Sequence, residues 1–163
     1  VNAIRVRRHA ALHRAAILLS IGYLVTLALI AFWPTPVDRG GHDSLVSLLG
    51  WLQRHGAPGW LSYTFVEFSA NVALFVPIGL LGVILLGARR WWLAILAGFL
   101  ASFSIELGQL LFLPARFATV NDVIANSLGA GIGTVGALLL IGVLHVLPTR
   151  DSLPPVTRKV PVR

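Results

Sequence analysis

The chain has 163 residues, about one domain by length, and 12% of them are charged while 56% are apolar. An average soluble domain carries about 25% charged residues, and a disordered chain needs low hydrophobicity. With a mean hydropathy of +0.83, both a soluble globular enzyme and a disordered chain are excluded, and the sequence reads as an integral membrane protein. The formal charge is +7, but the basic residues flank apolar runs instead of interleaving with aromatics, so they signal membrane topology and not nucleic-acid binding. There is no cysteine, which excludes a disulfide framework, a thiolate metal site and a cysteine nucleophile.

The first 14 residues form a basic amino-terminal segment with Arg5, Arg7, Arg8 and Arg14. The apolar run 15–33 follows. It is longer than a signal-peptide core and lacks an evident small-residue cleavage site, so it reads as a retained span. Pro34 and Pro36 end it. Within the loop 34–62, Leu45, Leu48, Leu49 and Leu52 recur at helical spacing behind Asp43 or Ser44 as N-cap, which predicts a short amphipathic helix on the outer interface. Three further spans follow at 65–88, 91–113 and 123–147, each near the 20 residues that cross a bilayer. The fold class is therefore all-α, a polytopic bundle of four transmembrane helices, because only internally bonded backbone spans lipid and the runs are too long for barrel strands. The tail 148–163 is basic and proline-rich. Placing both termini in the cytoplasm puts ten Lys and Arg inside and only Arg39, Arg54 and Arg116 outside. Twelve arginines against one lysine hint at a GC-rich bacterial genome, and the expected location is the bacterial cytoplasmic membrane.

Ionisable groups inside spans are functional candidates by default, since a carboxylate at the bilayer centre costs about 2.5–3.5 kcal/mol. Glu106 lies at a depth of about 10 Å, Asn71 about 9 Å and Asn126 about 7–8 Å, at 1.5 Å rise per residue. All three therefore meet in the outer half of the membrane. Ser102, Glu106 and Gln109 share one helix face, as do Glu67 and Asn71, and as do Asp122, Asn126, Gly129 and Gly133. The pattern predicts a polar pocket opening outward, lined by Glu67, Asn71, Glu106, Gln109, Asp122 and Asn126 and roofed by Arg116. Pro77 should kink the second span and release the Ala73 carbonyl near the pocket floor. Plain structural readings stand beside these. Asn71 and Asn126 could bond between helices, Asp122 could cap one, Glu106 and Arg116 could pair, and Glu67 could be solvated. Gly129 and Gly133 form a GxxxG pair, a packing face or a contact for a second copy of the chain. The five histidines are scattered, so no metal site is expected.

Three segments carry a family resemblance. N-V-A-L-F-V-P-I-G (Asn71–Gly79), S-F-S-I-E-L-G-Q (Ser102–Gln109) and R-F-A-T-V-N-D-V-I-A-N-S-L-G (Arg116–Gly129) resemble, in order and spacing, the signature blocks of the VanZ-like family. Thr119 stands where many members carry an acidic residue. The resemblance implies a link to teicoplanin resistance and a place among helical cones that hold a lipid with a polar site at its head group. It makes Asn71, Glu106, Gln109, Arg116, Asp122 and Asn126 site residues, the same set reached from membrane depth. Three functions follow as expectations. In a lipid head-group hydrolase or transferase, Glu106 is the base, Asp122 shares the proton work, Arg116 holds a phosphate, and Asn71, Gln109 and Asn126, with Glu67 and Ser102 beside them, bind the head group. In a non-catalytic binder, the same pocket takes an envelope lipid, a lipid-linked precursor or a lipoglycopeptide antibiotic. In a small structural or transport-related protein, the glycine face builds oligomers. No cofactor and no nucleic-acid partner is expected.

Overall fold

The computed structural model describes residues 2–33, 40–113 and 119–146. Among these residues there are five α-helices and no strand: α1 (Asn2–Ala31), α2 (His42–Arg54), α3 (Tyr63–Leu86), α4 (Trp91–Phe112) and α5 (Val120–Val146), with one 3₁₀ turn at Ala88–Arg90. Four of them, all but α2, are long and apolar enough to cross a membrane. The all-helical, four-span fold expected from the sequence is therefore the fold observed. The Pro-rich tail falls outside the described residues.

The helix limits follow local chemistry. Nothing between Asn2 and Ile21 is glycine or proline, so α1 runs unbroken from the basic segment into the apolar one. Ser62 caps α3 by accepting from the Phe65 amide at 3.3 Å, which starts that span two residues before the apolar run. Gly87 ends it with φ of +83°, a conformation that favours glycine, and the chain turns directly into α4. The amphipathic helix expected in the long loop is α2, but neither Asp43 nor Ser44 caps it. Gly41 holds the N-cap position with no side-chain cap. Asp43 sits inside the first turn instead, where the helix dipole favours a carboxylate. Leu49 of α2 is buried while Val46, Leu48 and Trp51 are exposed. Gln53 Nε2 donates to the Leu61 carbonyl at 2.9 Å, and the His42 ring meets Tyr63 edge-on, so α2 is tied to the start of α3.

The core of the bundle is α3, α4 and α5. Small residues let α3 and α5 touch at backbone level. A Cβ on Gly133 would lie 1.9 Å from the Val76 carbonyl oxygen, one on Gly129 would lie 2.1 Å from that of Val72, and one on Gly79 would lie 1.9 Å from that of Ala130. The GxxxG pair thus packs inside the chain against α3, the packing-face reading of Gly129 and Gly133. Gly98 of α4 receives the Ala130 methyl, and Gly82 of α3 receives that of Ala94. At the arginine-rich end, beside the α3–α4 turn, Val83, Ala94 and Ala137 form a wholly apolar core with Leu80, Leu138 and Ile141 around it. α1 packs outside this trio. Among the described side chains of α1, Ala16, Leu27 and Ala31 are buried and most of the larger apolar ones are exposed, as suits a helix facing lipid.

Candidate functional site

The buried face of α4 is a single stripe: Ala94, Gly98, Ser102, Glu106 and Gln109. Toward the arginine-rich end it is small and apolar. Over its last three members it becomes polar, although the helix is still deep in its apolar run. A polar side chain buried there needs a partner, and each of the three has one.

Ser102 Oγ accepts from Asn126 Nδ2 of α5 at 2.9 Å, wholly inside the bundle. Glu106 is 8% exposed, and its Oε2 accepts from the Thr119 backbone amide at 2.9 Å. Thr119 immediately precedes α5 and takes the Asp122 amide on its Oγ1 at 3.1 Å, so it acts as the N-cap of that helix. Asp122, in the first turn of α5, accepts from Asn71 Nδ2 of α3 at 2.6 Å. Two carboxylates, Glu106 and Asp122, are thereby gathered at the start of one helix. The positive end of the α5 dipole and its unpaired amides favour negative charge there, which offsets part of the cost of burying them.

The structure brings together Asn71, Ser102, Glu106, Asp122 and Asn126 from three helices. Gln109 departs from the expected lining. Its Nε2 donates to the Ala31 carbonyl of α1 at 2.7 Å, because the last turn of α1 leaves carbonyls unbonded and Gln109 reaches one of them. Glu67 is one turn from Asn71 on α3 and exposed. Arg116, the expected roof, lies outside the described residues.

Two residues escaped the sequence reading. Thr119 was legible only as a departure from a family pattern, yet it supplies both the cap of α5 and the amide held by Glu106. Tyr23 lies within the apolar run of α1, and its hydroxyl donates to the Leu74 carbonyl of α3. That carbonyl is three residues before Pro77, next to the Ala73 carbonyl that Pro77 cannot serve. α3 continues as one helix through the proline. The signal available was the proline, which disturbs that turn of α3, although the tyrosine serves the carbonyl beside the released one and not the released one itself.

The polar cluster holds Asn71 from the first signature segment, Ser102 and Glu106 from the second, and Asp122 and Asn126, with the capping Thr119, from the third. A family model, VanZ/LLP1, matches residues 19–141, a range that contains the bundle from the middle of α1 almost to the end of α5. No curated protein and no solved structure matches the chain. The chain belongs to the VanZ/LLP1 family, as a multi-pass membrane protein whose buried polar residues come from the family's matched region.

Proposed function

We propose that this protein binds the head group of an outer-leaflet lipid at the cluster of Asn71, Glu106, Asp122 and Asn126, and acts on it as a hydrolase or transferase. One observation carries the reading: two carboxylates from different helices, Glu106 and Asp122, are gathered at the amino end of α5 inside an apolar bundle. Membrane helices hold such groups at an energetic cost, and they mark substrate sites. In the proposed reaction Glu106 takes the proton from water or from an alcohol acceptor. The oxygen so freed bonds to the head-group phosphorus, the bond to the leaving alcohol breaks, and the leaving oxygen receives that proton. Asp122 shares the proton transfer and holds Asn71. Arg116, three residues before Thr119 in the sequence, is the residue proposed to pair with the phosphate, for which its planar guanidinium is suited.

A second reading is favoured by the Glu106–Thr119 hydrogen bond. If that bond is the whole task of Glu106, the cluster is a binder for an envelope lipid or a lipophilic antibiotic such as a lipoglycopeptide, and it supports resistance by sequestration. Glu106→Gln separates the two, because a glutamine oxygen still accepts the Thr119 amide while the base is gone. We expect the membrane lipidome of a host expressing the wild type to contain a changed lipid species. With equal amounts of the Glu106→Gln protein that conversion should fall about 100-fold or more. Identical lipidomes from the two proteins would discard the enzyme reading.

A further inference from the structure

The proposed reaction requires a lipid whose head group sits among buried helices to keep its acyl chains in hydrocarbon, so one seam between helices must open. The α3–α5 seam is closed at backbone level by Gly79, Gly129 and Gly133. The α4–α5 seam is bonded shut by Asn126 to Ser102 and by Thr119 to Glu106. The α3–α4 seam is close at the arginine-rich end, where Ala94 lies against Gly82, and at mid-length, where Ile78 lies against Gly98. Beyond mid-length α1 bridges the same two helices. It donates through the Tyr23 hydroxyl to Leu74 of α3 and accepts at Ala31 from Gln109 of α4, and the Phe32 ring covers Gly108. Between these two ties lies Leu27, 5% exposed. It is about 6 Å below Ala31, while Glu106 is about 4–5 Å below Gln109, so Leu27 and Glu106 lie at about the same level along their helices.

We infer that the seam under α1, lined by Leu27, Leu74 and Gly108, is the route by which the acyl chains of an outer-leaflet phospholipid reach the polar cluster, with α1 as its movable wall and Gln109 as its tether. The ties suit this role. Both end on backbone carbonyls, one in the last turn of α1 and one beside the proline of α3, so neither of these ties is an ion pair. Few side chains have to unpack, since most of the large residues of α1 already face lipid. Gln109 is here a positioning residue. The inference rests on the head-group reading, but its test does not use turnover.

The probe is phosphatidylcholine with a diazirine at mid-chain, reconstituted with the full chain in vesicles and photolysed, with adducts mapped by mass spectrometry. Exposed Leu24 and Leu29 report labelling by bulk lipid, and Phe75, 2% exposed, reports the closed core. We expect adducts on Leu27 in the wild type, increased about threefold or more by Gln109→Ala and unchanged by Glu106→Gln. Because the wild type is itself read, the result does not depend on a variant folding. Labelling of Leu27 no greater than that of Phe75, in both the wild type and Gln109→Ala, overturns the inference. A lipidome unaffected by Glu106→Gln, with Leu27 labelled, would remove the enzyme reading and leave the route in place.

Discussion

Two of the helices packed on α3, α5 and α1, are held to it in opposite ways. α5 meets it through glycines, with backbone against backbone and no room for a single added carbon at Gly79, Gly129 or Gly133. α1 meets it through one tyrosine hydroxyl and a narrow strip of side chains. In lipid there is no hydrophobic drive between helices, so close van der Waals packing of small residues is the stronger glue, and single hydrogen bonds average about 0.6 kcal/mol. Rigidity is placed where the polar residues are: the contact that carries Asn71, Asp122 and Asn126 is the one that cannot slide.

One added methyl group should disrupt the α3–α5 contact more than any other single change. Gly133→Ala sets a carbon 1.9 Å from a main-chain oxygen of α3, and main chain cannot rotate away as a side chain can. We expect a loss of about 3 kcal/mol or more, at the upper end of overpacking costs, or failure to assemble, read as thermal unfolding in detergent. Gly136→Ala, three residues on, meets nothing within 4 Å. It should keep or slightly raise stability, by up to about 1 kcal/mol from helix propensity. Equal losses at both positions would mean that the α3–α5 contact is not the rigid element.

This contrast also marks what the sequence disclosed. Helical periodicity is a property of one chain segment, so the spans and the shared face of Ser102, Glu106 and Gln109 could be read directly, and bilayer depth put Asn71, Glu106 and Asn126 at one level. Partner choice is a property of two segments, and spacing does not encode it. GxxxG at Gly129 and Gly133 signals close approach without saying to which helix, and the answer is α3 of the same chain. Gln109 shares a face with Glu106 yet serves α1, because a face spans enough of the helix circumference to meet two neighbours. Thr119 was hidden for a different reason: its contribution to Glu106 is a backbone amide, which every residue but proline has.

The next effect in size lies at the polar end of the rigid contact. Asn71→Ala leaves the half-buried Asp122 carboxylate without its 2.6 Å donor, and a hydrogen bond to a charged group contributes about 1.5–3 kcal/mol. Asp122→Ala alone should cost a similar amount. In the double variant the two losses should fall short of their sum by about 1 kcal/mol or more, the coupling expected of residues in direct contact. The measurement is a double-mutant cycle on unfolding in detergent. Strict additivity would show that the bond contributes nothing to the bundle, and would leave both residues free to serve the ligand alone.

The smallest effect tests the loose side. Tyr23→Phe removes only a hydroxyl, and a loss of about 0.6 kcal/mol is expected, with about 1.7 kcal/mol as the upper end for such bonds in membranes. Its size should depend on Pro77. The proline cannot bond to Ala73 and crowds that turn of α3, so the neighbouring Leu74 carbonyl gains more than usual from an outside donor. Pro77→Ala restores an amide for the Ala73 carbonyl and relieves the crowding of that turn of α3. In that background the same Tyr23→Phe change should cost less than in the wild type, by about half or more of its original effect. If the cost is the same in both backgrounds, the hydroxyl is serving α1 and not the interrupted backbone of α3, and the hold of α1 at mid-membrane is independent of the proline.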